Sequence, residues 1–317
     1  MSKSSRRRAR TKVRKKFADR GAPAQAPART AARPALTAGA VQVTSPRPAR
    51  KAAPVAATSE PGLADAVHAV LWRAGLLNVA AIARRELGAV FVSPIGWVVA
   101  AVFTFLVSGF GFVGSVLAGQ QATMDGVFGV ITGFLTLVLV PVLTMRLIAE
   151  ERSQGTLELV LTSPVRDWEL AVGKWLGTFV FYTLLVATSV VYVVVLAIYV
   201  PVGALDLGLI AATYAGLLVV GAAATAIGVL ASSLTKNQIV AFVISIVALL
   251  AIWYTALLVG SFTAPPLGQF LEYAAGYYRY QSFSLGQLAL RDAVYFLSLA
   301  VGALFLTTRV LGSRRWR

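Results

Sequence analysis

Apolar residues dominate the chain beyond about residue 95 and form long stretches that short polar segments separate. The stretches span residues 95–117, 127–143, 175–200, 207–230, 239–259 and 293–308. A helix needs roughly 20 apolar residues to cross the hydrocarbon core of a bilayer. The pattern therefore predicts an all-α, polytopic membrane protein with about six transmembrane helices.

Lys and Arg in the segments between these stretches predict the orientation of the chain. The N-terminal tail, the 146–174 loop, Lys236 and the C-terminal arginines fall on one side of the membrane. Segments 118–126, 201–206 and 261–292 fall on the other side and contain only Arg279 and Arg291. Because cytoplasmic loops carry an excess of basic residues, we expect both termini to be cytoplasmic.

Composition agrees with a bilayer protein: 57% of residues are hydrophobic and 13% are charged. Cysteine is absent and His68 is the single histidine, which excludes disulfides and a multi-histidine metal site. The net charge of +16 is concentrated near the N-terminus, where 15 of the 29 Lys and Arg lie between Lys3 and Lys51. We therefore expect two parts: a disordered, basic Ala/Pro-rich tail at 1–61 and a membrane domain at 62–317.

Four roles remain open for the tail. It is a plain solubilising extension, or a polybasic strip that contacts anionic lipid headgroups. A transit peptide has a similar Arg-rich, acid-poor composition. Nucleic-acid binding by the run SRRRARTKVRKK is disfavoured because no aromatic residue interleaves its basic ones, so we expect no nucleic-acid partner.

An amphipathic segment precedes the first apolar stretch. Residues 78–91 predict a helix that lies in the headgroup plane, an elbow before the chain enters the bilayer at Ser93-Pro94. Its polar residues are Arg84, Arg85 and Glu86. Its apolar face, at helical spacing, consists of Val79, Ile82, Ala83, Leu87 and Val90. The helix is either an interfacial anchor or a surface for a partner protein.

The 145–177 loop is the most informative polar segment. Glu150, Glu151 and Arg152 form a charged cluster, and Gly155 permits a change of direction. Leu157 and Leu161 then share a helical face that nothing predicted in this chain covers. Ser163-Pro164 is typical of the start of a further helix, which continues into the third span.

The run E-E-R-S-Q-G-T-L-E-L-V-L-T-S-P resembles the cytoplasmic loop of type-2 ABC exporter permeases (ABC-2 type). It is most similar to the branch associated with gliding motility and nitrous-oxide-reductase maturation. The resemblance extends over 78–317, through Arg85-Glu86-Leu87, the 232–238 loop, the 291–296 segment and the arginine-rich ending. It implies a permease of the bacterial plasma (inner) membrane, without enzymatic activity of its own.

In that family the loop is a coupling helix that docks on a separate ATPase subunit. The resemblance places this role on Glu150, Glu151, Arg152, Gly155, Thr156, Leu157, Glu158 and Leu161. The chain contains no G-x-x-x-x-G-K-[ST] motif, so ATP and Mg are expected on the partner and no cofactor in this chain. A second permease copy is expected too, as a homo- or heterodimer in contact with membrane lipid.

Aromatic residues mark the last outer segment. Phe270, Tyr273, Tyr277 and Tyr278 predict a re-entrant or interfacial helix. This helix is either part of an aromatic belt at the membrane interface or an outer gate over an exit path.

Two other functions stay open. One is a non-transporting membrane scaffold that recruits a cytoplasmic partner through the same loop. The other is an ion-coupled secondary transporter, which the apolar stretches disfavour because as delimited they contain no Asp, Glu, Lys, Arg or His. The transported substrate is not encoded in any motif of the chain.

Overall fold

The computed structural model describes residues 75–119, 123–157, 165–201, 205–259 and 275–313, with the side chains at 117, 134–135 and 255–259 left aside. Within these ranges the chain is helical and contains no strand. The predicted tail at 1–61 and His68 lie outside the described residues. The all-α prediction is confirmed.

Ten helical elements follow one another along the described chain. The α-helix that begins at Pro94 continues as a π-helix over Val107–Ala118, and the one that begins at Asp125 continues as a π-helix over Val130–Leu139 and an α-helical turn over Val140–Thr144. Each continuation is counted with the helix that it extends. The elements are α1 Leu76–Val92, α2 Pro94–Leu106, α3 Asp125–Gly129, α4 Ala149–Ser153, α5 Asp167–Thr188, α6 Val190–Tyr199, α7 Leu207–Leu234, α8 Gln238–Val259, α9 Gly276–Ser284 and α10 Leu290–Gly312.

Five helical segments of the described chain are long and apolar enough to cross a membrane. They are Pro94–Val116, Asp125–Ser153, Asp167–Tyr199, Leu207–Leu234 and Leu290–Gly312. The remaining predicted stretch, 239–259, lies on α8, whose apolar part Gln238–Tyr254 is shorter. The chain is therefore a polytopic helical membrane protein with each predicted apolar stretch on a helix.

Helix α7 is the centre of the bundle, because most of its side chains are buried by α5, α8, α9 and α10. Small residues allow these close approaches, as is common between helices in membranes. A Cβ at Gly221 would overlap the ring of Tyr182, and one at Gly228 would overlap the side chain of Thr144. The Tyr182 hydroxyl donates to the carbonyl of Leu217 at 3.3 Å, which ties α5 to this small-residue face.

The elbow helix forms where the amphipathic pattern predicts it. Val79, Ala83 and Val90 are buried, and Arg84 and Arg85 are exposed on the opposite side. Ser93 then interrupts the helix with extended backbone, and its hydroxyl accepts a hydrogen bond from the Ile95 amide at 3.3 Å. Pro94 occupies the first position of α2, where its missing N–H costs nothing.

The start of the third spanning helix differs from the prediction. Val165 and Arg166 are not helical, so α5 begins at Asp167 rather than at Ser163-Pro164. Glu169 explains the new start, because its carboxylate accepts from the Arg166 amide at 3.1 Å and caps the first turn. Ser163 and Pro164 themselves lie outside the described residues.

Candidate functional site

A buried lysine joins three elements at the end of the bundle that carries the 145–157 loop. Lys174 of α5 is 1% exposed, and its Nζ lies 2.8 Å from Glu86 Oε1 of α1 and 2.8 Å from Glu151 Oε1 of α4. Arg85 adds a longer contact of 3.8 Å to the same Glu151 oxygen. A buried ammonium group is stable only when anions pair with it. Lys174 therefore holds the elbow helix and the loop in one fixed arrangement.

Two glycines bring the elbow helix close enough for this pairing. Gly173 and Gly177 stand on either side of Lys174 in a small-x-x-x-small pattern on α5. A Cβ at Gly173 would come within 2.7 Å of the Ile82 side chain, and one at Gly177 within 2.8 Å of the Ala83 carbonyl. Larger residues there would push α1 away and separate Glu86 from Lys174.

A second polar contact fixes the N-terminal end of the elbow helix. Asn78 Nδ2 donates to Glu169 Oε2 at 2.9 Å, and Arg166 lies 3.9 Å from the other oxygen of this carboxylate. Glu169 is 2% exposed although it is charged. Its carboxylate thus serves both the α5 cap and the α1–α5 contact.

Ser232 of α7 fixes the backbone where α3 turns into α4. Its hydroxyl oxygen accepts from the amides of Ile148 at 3.0 Å and Ala149 at 3.1 Å. The same hydroxyl donates to the carbonyl of Met145 at 3.0 Å. These bonds satisfy backbone groups that the end of a helix leaves without partners. The loop is therefore attached to α7 as well as to α1 and α5.

Leu157 is buried by the chain itself. The prediction that its leucine face stays uncovered until a partner binds is therefore wrong at this residue. Leu157 is 5% exposed, in a small core formed by residues of the loop, α5, α7 and α10. The other members are Leu147, Ile148, Leu170, Ala171, Val229 and Leu311. The sequence could not show this, because the covering residues come from distant segments. Leu161 and Glu158 lie outside the described residues.

The polar turn before Leu157 is the part of the loop that faces outward. Ser153, Gln154, Gly155 and Thr156 are all exposed. Gly155 has a φ of 74°, a backbone conformation that side chains disfavour, and a Cβ there would meet open space. Of the predicted coupling residues, Gly155 and Thr156 therefore offer a free surface.

The charged residues of the predicted coupling set face the chain as well as solvent. Glu150, Glu151 and Arg152 are half-buried, and Arg152 Nη1 donates to the carbonyl of Leu234 at 3.2 Å. A cavity of about 370 Å³ opens between α1 and the loop. Its charged lining consists of Arg85, Glu86, Arg146, Glu150, Glu151 and Lys174.

The predicted outer gate is described only in part. Phe270 and Tyr273 lie outside the described residues, whereas Tyr277 and Tyr278 lie on α9 with their rings edge-on at 5.7 Å. Ala275 has extended backbone, so a continuous helix from Phe270 to Tyr278 is wrong. The turn of the chain at Ala275 brings Gly276 against the Trp253 ring of α8.

An ion pair connects α9 with the start of α10. Arg279 Nη1 lies 2.7 Å from Asp292 Oδ1, and Ser282 donates to Asp292 Oδ2 at 2.7 Å. Arg279 also lies over the ring of Tyr295, 5.7 Å from its centroid. Both charged side chains are buried. This pair holds α9 in place without leaving a buried charge unbalanced.

Sequence reasoning missed Lys174, Ser232 and the Arg279–Asp292 pair. Lys174 did carry a signal, because it is a single cation between Gly173 and Trp175 at the start of an apolar stretch. Spanning helices in the structure extend beyond the apolar stretches, so Lys174 and Asp292 lie on them. Ser232 carried no signal of its own, since its partners come from another helix.

These features define a class of protein: a helical membrane protein whose polar loop is held to the bundle by ion pairs and hydrogen bonds and exposes one turn. Residues 113–308, more than half of the chain, match the ABC-2 family transporter proteins, and the chain belongs to that family. The family consists of membrane permease components of ABC transporters, and such permeases normally work with an ABC ATPase. Among curated proteins, none matches this chain.

Proposed function

We propose that the chain is the permease subunit of an ATP-driven exporter in the bacterial plasma membrane, with both termini in the cytoplasm. ATP and Mg bind a separate ATPase subunit, and a second permease copy completes the pathway. The family supports the transport role. The Lys174 cluster carries the coupling part, because it connects the exposed loop turn to spanning helices through short ion pairs. The closer relation to the gliding-motility and nitrous-oxide-reductase branch stays a prediction.

The exposed turn Ser153–Thr156 is the proposed contact with the ATPase. It is polar, it projects from the bundle, and Gly155 leaves the backbone accessible. A partner side chain can therefore approach main-chain groups that a larger residue would shield. Glu158 and Leu161 follow in the chain and extend this proposed contact.

Movement at the turn would reach the membrane through three links. Glu151 pairs with Lys174 on α5, Ser232 bonds the loop backbone to α7, and Arg152 bonds the carbonyl of Leu234 at the end of α7. Elements joined by short polar contacts move as units more readily than they deform. A displacement of the loop by the ATPase thus shifts α5 and α7 together with the elbow helix.

The partner chemistry follows from the cavity beside the turn. Three cations and three carboxylates line its wall, so it suits polar and charged side chains of both signs. Among the described residues, Glu151 Oε2 is buried without a hydrogen-bond partner. An Arg or Lys of the ATPase that reaches this carboxylate would donate the missing hydrogen bond and strengthen the contact.

The test places a bulky side chain on the exposed turn. Gln154→Trp adds volume at the proposed contact without touching the buried core, and Ser313→Trp adds the same volume at an exposed site on the end of α10. Each variant is co-expressed with the Walker-type ATPase that we expect a neighbouring gene to encode. Membrane insertion, ATPase copurification and ATP hydrolysis in proteoliposomes are then measured.

We expect Gln154→Trp to insert normally and to lose at least tenfold in ATPase association, which corresponds to about 1.4 kcal/mol. Ser313→Trp should bind like the unmodified protein. Equal association of both variants would refute docking at this turn. Association without any stimulated ATP hydrolysis or transport would support the scaffold function instead, and transport that follows an ion gradient without ATP would support a secondary transporter.

A further inference from the structure

A cavity of about 440 Å³ lies within the bundle between α3, α7, α8 and α9. This volume is in the range of pockets that hold small organic ligands. The walls include five aromatic side chains, Phe128, Trp253, Tyr254, Tyr277 and Tyr280. Trp253 and Tyr280 lie with their ring centroids 5.9 Å apart. The cavity is separate from the charged cavity beside the loop.

Glycines on α3 leave room on the remaining wall. Gly129 and Gly133 both line the cavity, and a Cβ at either residue would meet no atom within 4 Å. Unlike Gly221 and Gly228, they are not required for helix packing. Their absent side chains instead keep open the space that faces the aromatic residues.

The charge of the lining has one sign. Among the described residues that line the cavity, Asp125 is the single ionisable acid or base apart from the tyrosines, and it is exposed at the start of α3. No ion pair to Asp125 is present among the described residues. The cation on α9, Arg279, does not line the cavity and is neutralised by Asp292 at 2.7 Å. The formal charge of the described lining is therefore negative and lies at the rim of an aromatic space.

Two buried hydroxyl groups add hydrogen-bonding capacity. Thr132 is 5% exposed and Tyr280 is 6% exposed, and both line the cavity. By strict geometry neither oxygen forms a hydrogen bond within the described part of the chain, but the Tyr280 hydroxyl lies close enough to those of Thr132 and Ser284 to interact weakly with both. Burial raises the pKa of Tyr280, so its hydroxyl stays neutral. Buried hydroxyl groups with only weak partners retain hydrogen-bonding capacity that a bound polar ligand would use.

We propose that this cavity binds an amphipathic organic cation, a ligand with an apolar body and one positively charged group. Aromatic faces attract cations through their negative quadrupole, and the rings also cover apolar ligand surface. Asp125 supplies the countercharge at the rim. The hydroxyl oxygens of Thr132 and Tyr280 accept hydrogen bonds where the cation is a protonated amine.

This site is a binding site in its own right, and its existence does not depend on docking of an ATPase. If the chain exports, as proposed above, the ligand class is also the class of its cargo. Failure of ATPase docking would leave cation binding unchanged, and failure of cation binding would leave docking unchanged. The two proposals are therefore tested by separate measurements.

The experiment uses the full chain in lipid nanodiscs and the radiolabelled cation tetraphenylphosphonium. Tetraphenylborate serves as an anion of nearly the same size and shape. Binding of each ion is measured separately, and we expect saturable binding of the cation and none of the borate. Asp125→Asn should weaken cation binding about tenfold, since it removes the countercharge without a change of shape. Asp206→Asn, an outer-side helix cap that does not line the cavity, should leave binding unchanged.

Two further variant pairs test the location. Tyr277→Leu should weaken binding about fivefold by removing one aromatic face, whereas Tyr278→Leu should not, because Tyr278 is equally exposed but lies outside the wall. Gly129→Leu should abolish binding by filling the cavity, and Gly302→Leu on α10 should leave it intact.

Several results would overturn the proposal. They are the absence of saturable cation binding, equally tight saturable binding of tetraphenylborate, full affinity of the Asp125→Asn variant, and equal losses in Tyr277→Leu and Tyr278→Leu. Loss of binding in Gly302→Leu as large as that in Gly129→Leu would also overturn it, since nonspecific disturbance of the bundle would then explain both.

Discussion

Replacement of Lys174 by methionine tests whether the elbow helix and the loop depend on one buried cation. Methionine retains most of the length and apolar volume of the lysine stem but lacks the ammonium group. Glu86 and Glu151 then face each other without the cation that now lies 2.8 Å from each. Two like charges near one site repel, and their partly buried carboxylates lose their pairing.

The structure gives the size of the effect. Breaking a fully buried ion pair by removing one partner costs about 3–5 kcal/mol, because it leaves an uncompensated charge. The two carboxylates keep 14% and 15% of their side-chain exposure, so water compensates part of the loss. We expect a destabilisation near the lower end, about 3 kcal/mol. On a scale of about 2–4 °C per kcal/mol, the unfolding midpoint falls by roughly 6–12 °C.

The assay is thermal unfolding of the purified protein in one detergent, followed by loss of the monodisperse peak in size-exclusion chromatography. Lys236→Met is the control, because Lys236 is exposed and forms no ion pair among the described residues. A triple variant, Lys174→Met with Glu86→Gln and Glu151→Gln, removes all three charges. It should recover part of the lost stability, since neutral amides repel less than two carboxylates.

Two results would refute this reasoning. A midpoint of Lys174→Met that falls no further than that of Lys236→Met would show that the cluster does not stabilise the bundle. A triple variant no more stable than Lys174→Met would show that the unpaired carboxylates are not the cause of the loss.

Two other predictions concern packing and orientation. Gly221→Val should destabilise the bundle by about 1–3 kcal/mol in the same unfolding assay, because the valine side chain would overlap the Tyr182 ring. Gly302→Val on α10 is the control: its side chain meets no neighbour, so the unfolding midpoint should change little. For orientation, Thr123 and Lys236 are each replaced by cysteine in this cysteine-free chain, and intact cells are treated with an impermeant maleimide. We expect labelling at position 123 alone, since only this position is expected outside. Labelling of position 236 but not 123 would contradict the predicted topology.

The sequence alone determined most of the helical elements of the described bundle, but not where α5 and α9 begin. The length of the apolar stretches predicts the spanning helices. The helical spacing of Val79, Ala83 and Val90 predicts the elbow helix. Ser93-Pro94 marks a boundary because serine caps a helix and proline begins one. These signals are local, so they can be read without knowledge of which helices touch.

The sequence also located the polar loop of the proposed site, but it did not predict which of the loop residues are exposed. The charged cluster and the resemblance to ABC-2 permeases both placed Glu151 and Leu157 in the predicted coupling set. In the folded chain Leu157 is buried by residues from α5, α7 and α10, and Glu151 pairs with a lysine 23 positions away. A pattern along one segment shows which face is apolar but not what covers it. The exposed part of the loop is the polar turn at Ser153–Thr156, which is the contact proposed above.

Only the tertiary structure decided which distant residues meet. Lys174 and Glu86 are 88 positions apart, and Ser232 is 84 positions from Ile148. The aromatic cavity likewise combines Asp125 of α3 with Trp253 of α8 and Tyr277 of α9. Periodicity and composition hold no information on such pairings, because they depend on how helices cross and on where small residues let backbones approach. Glycine at positions 173 and 177 is what brings the elbow helix within reach of the buried lysine.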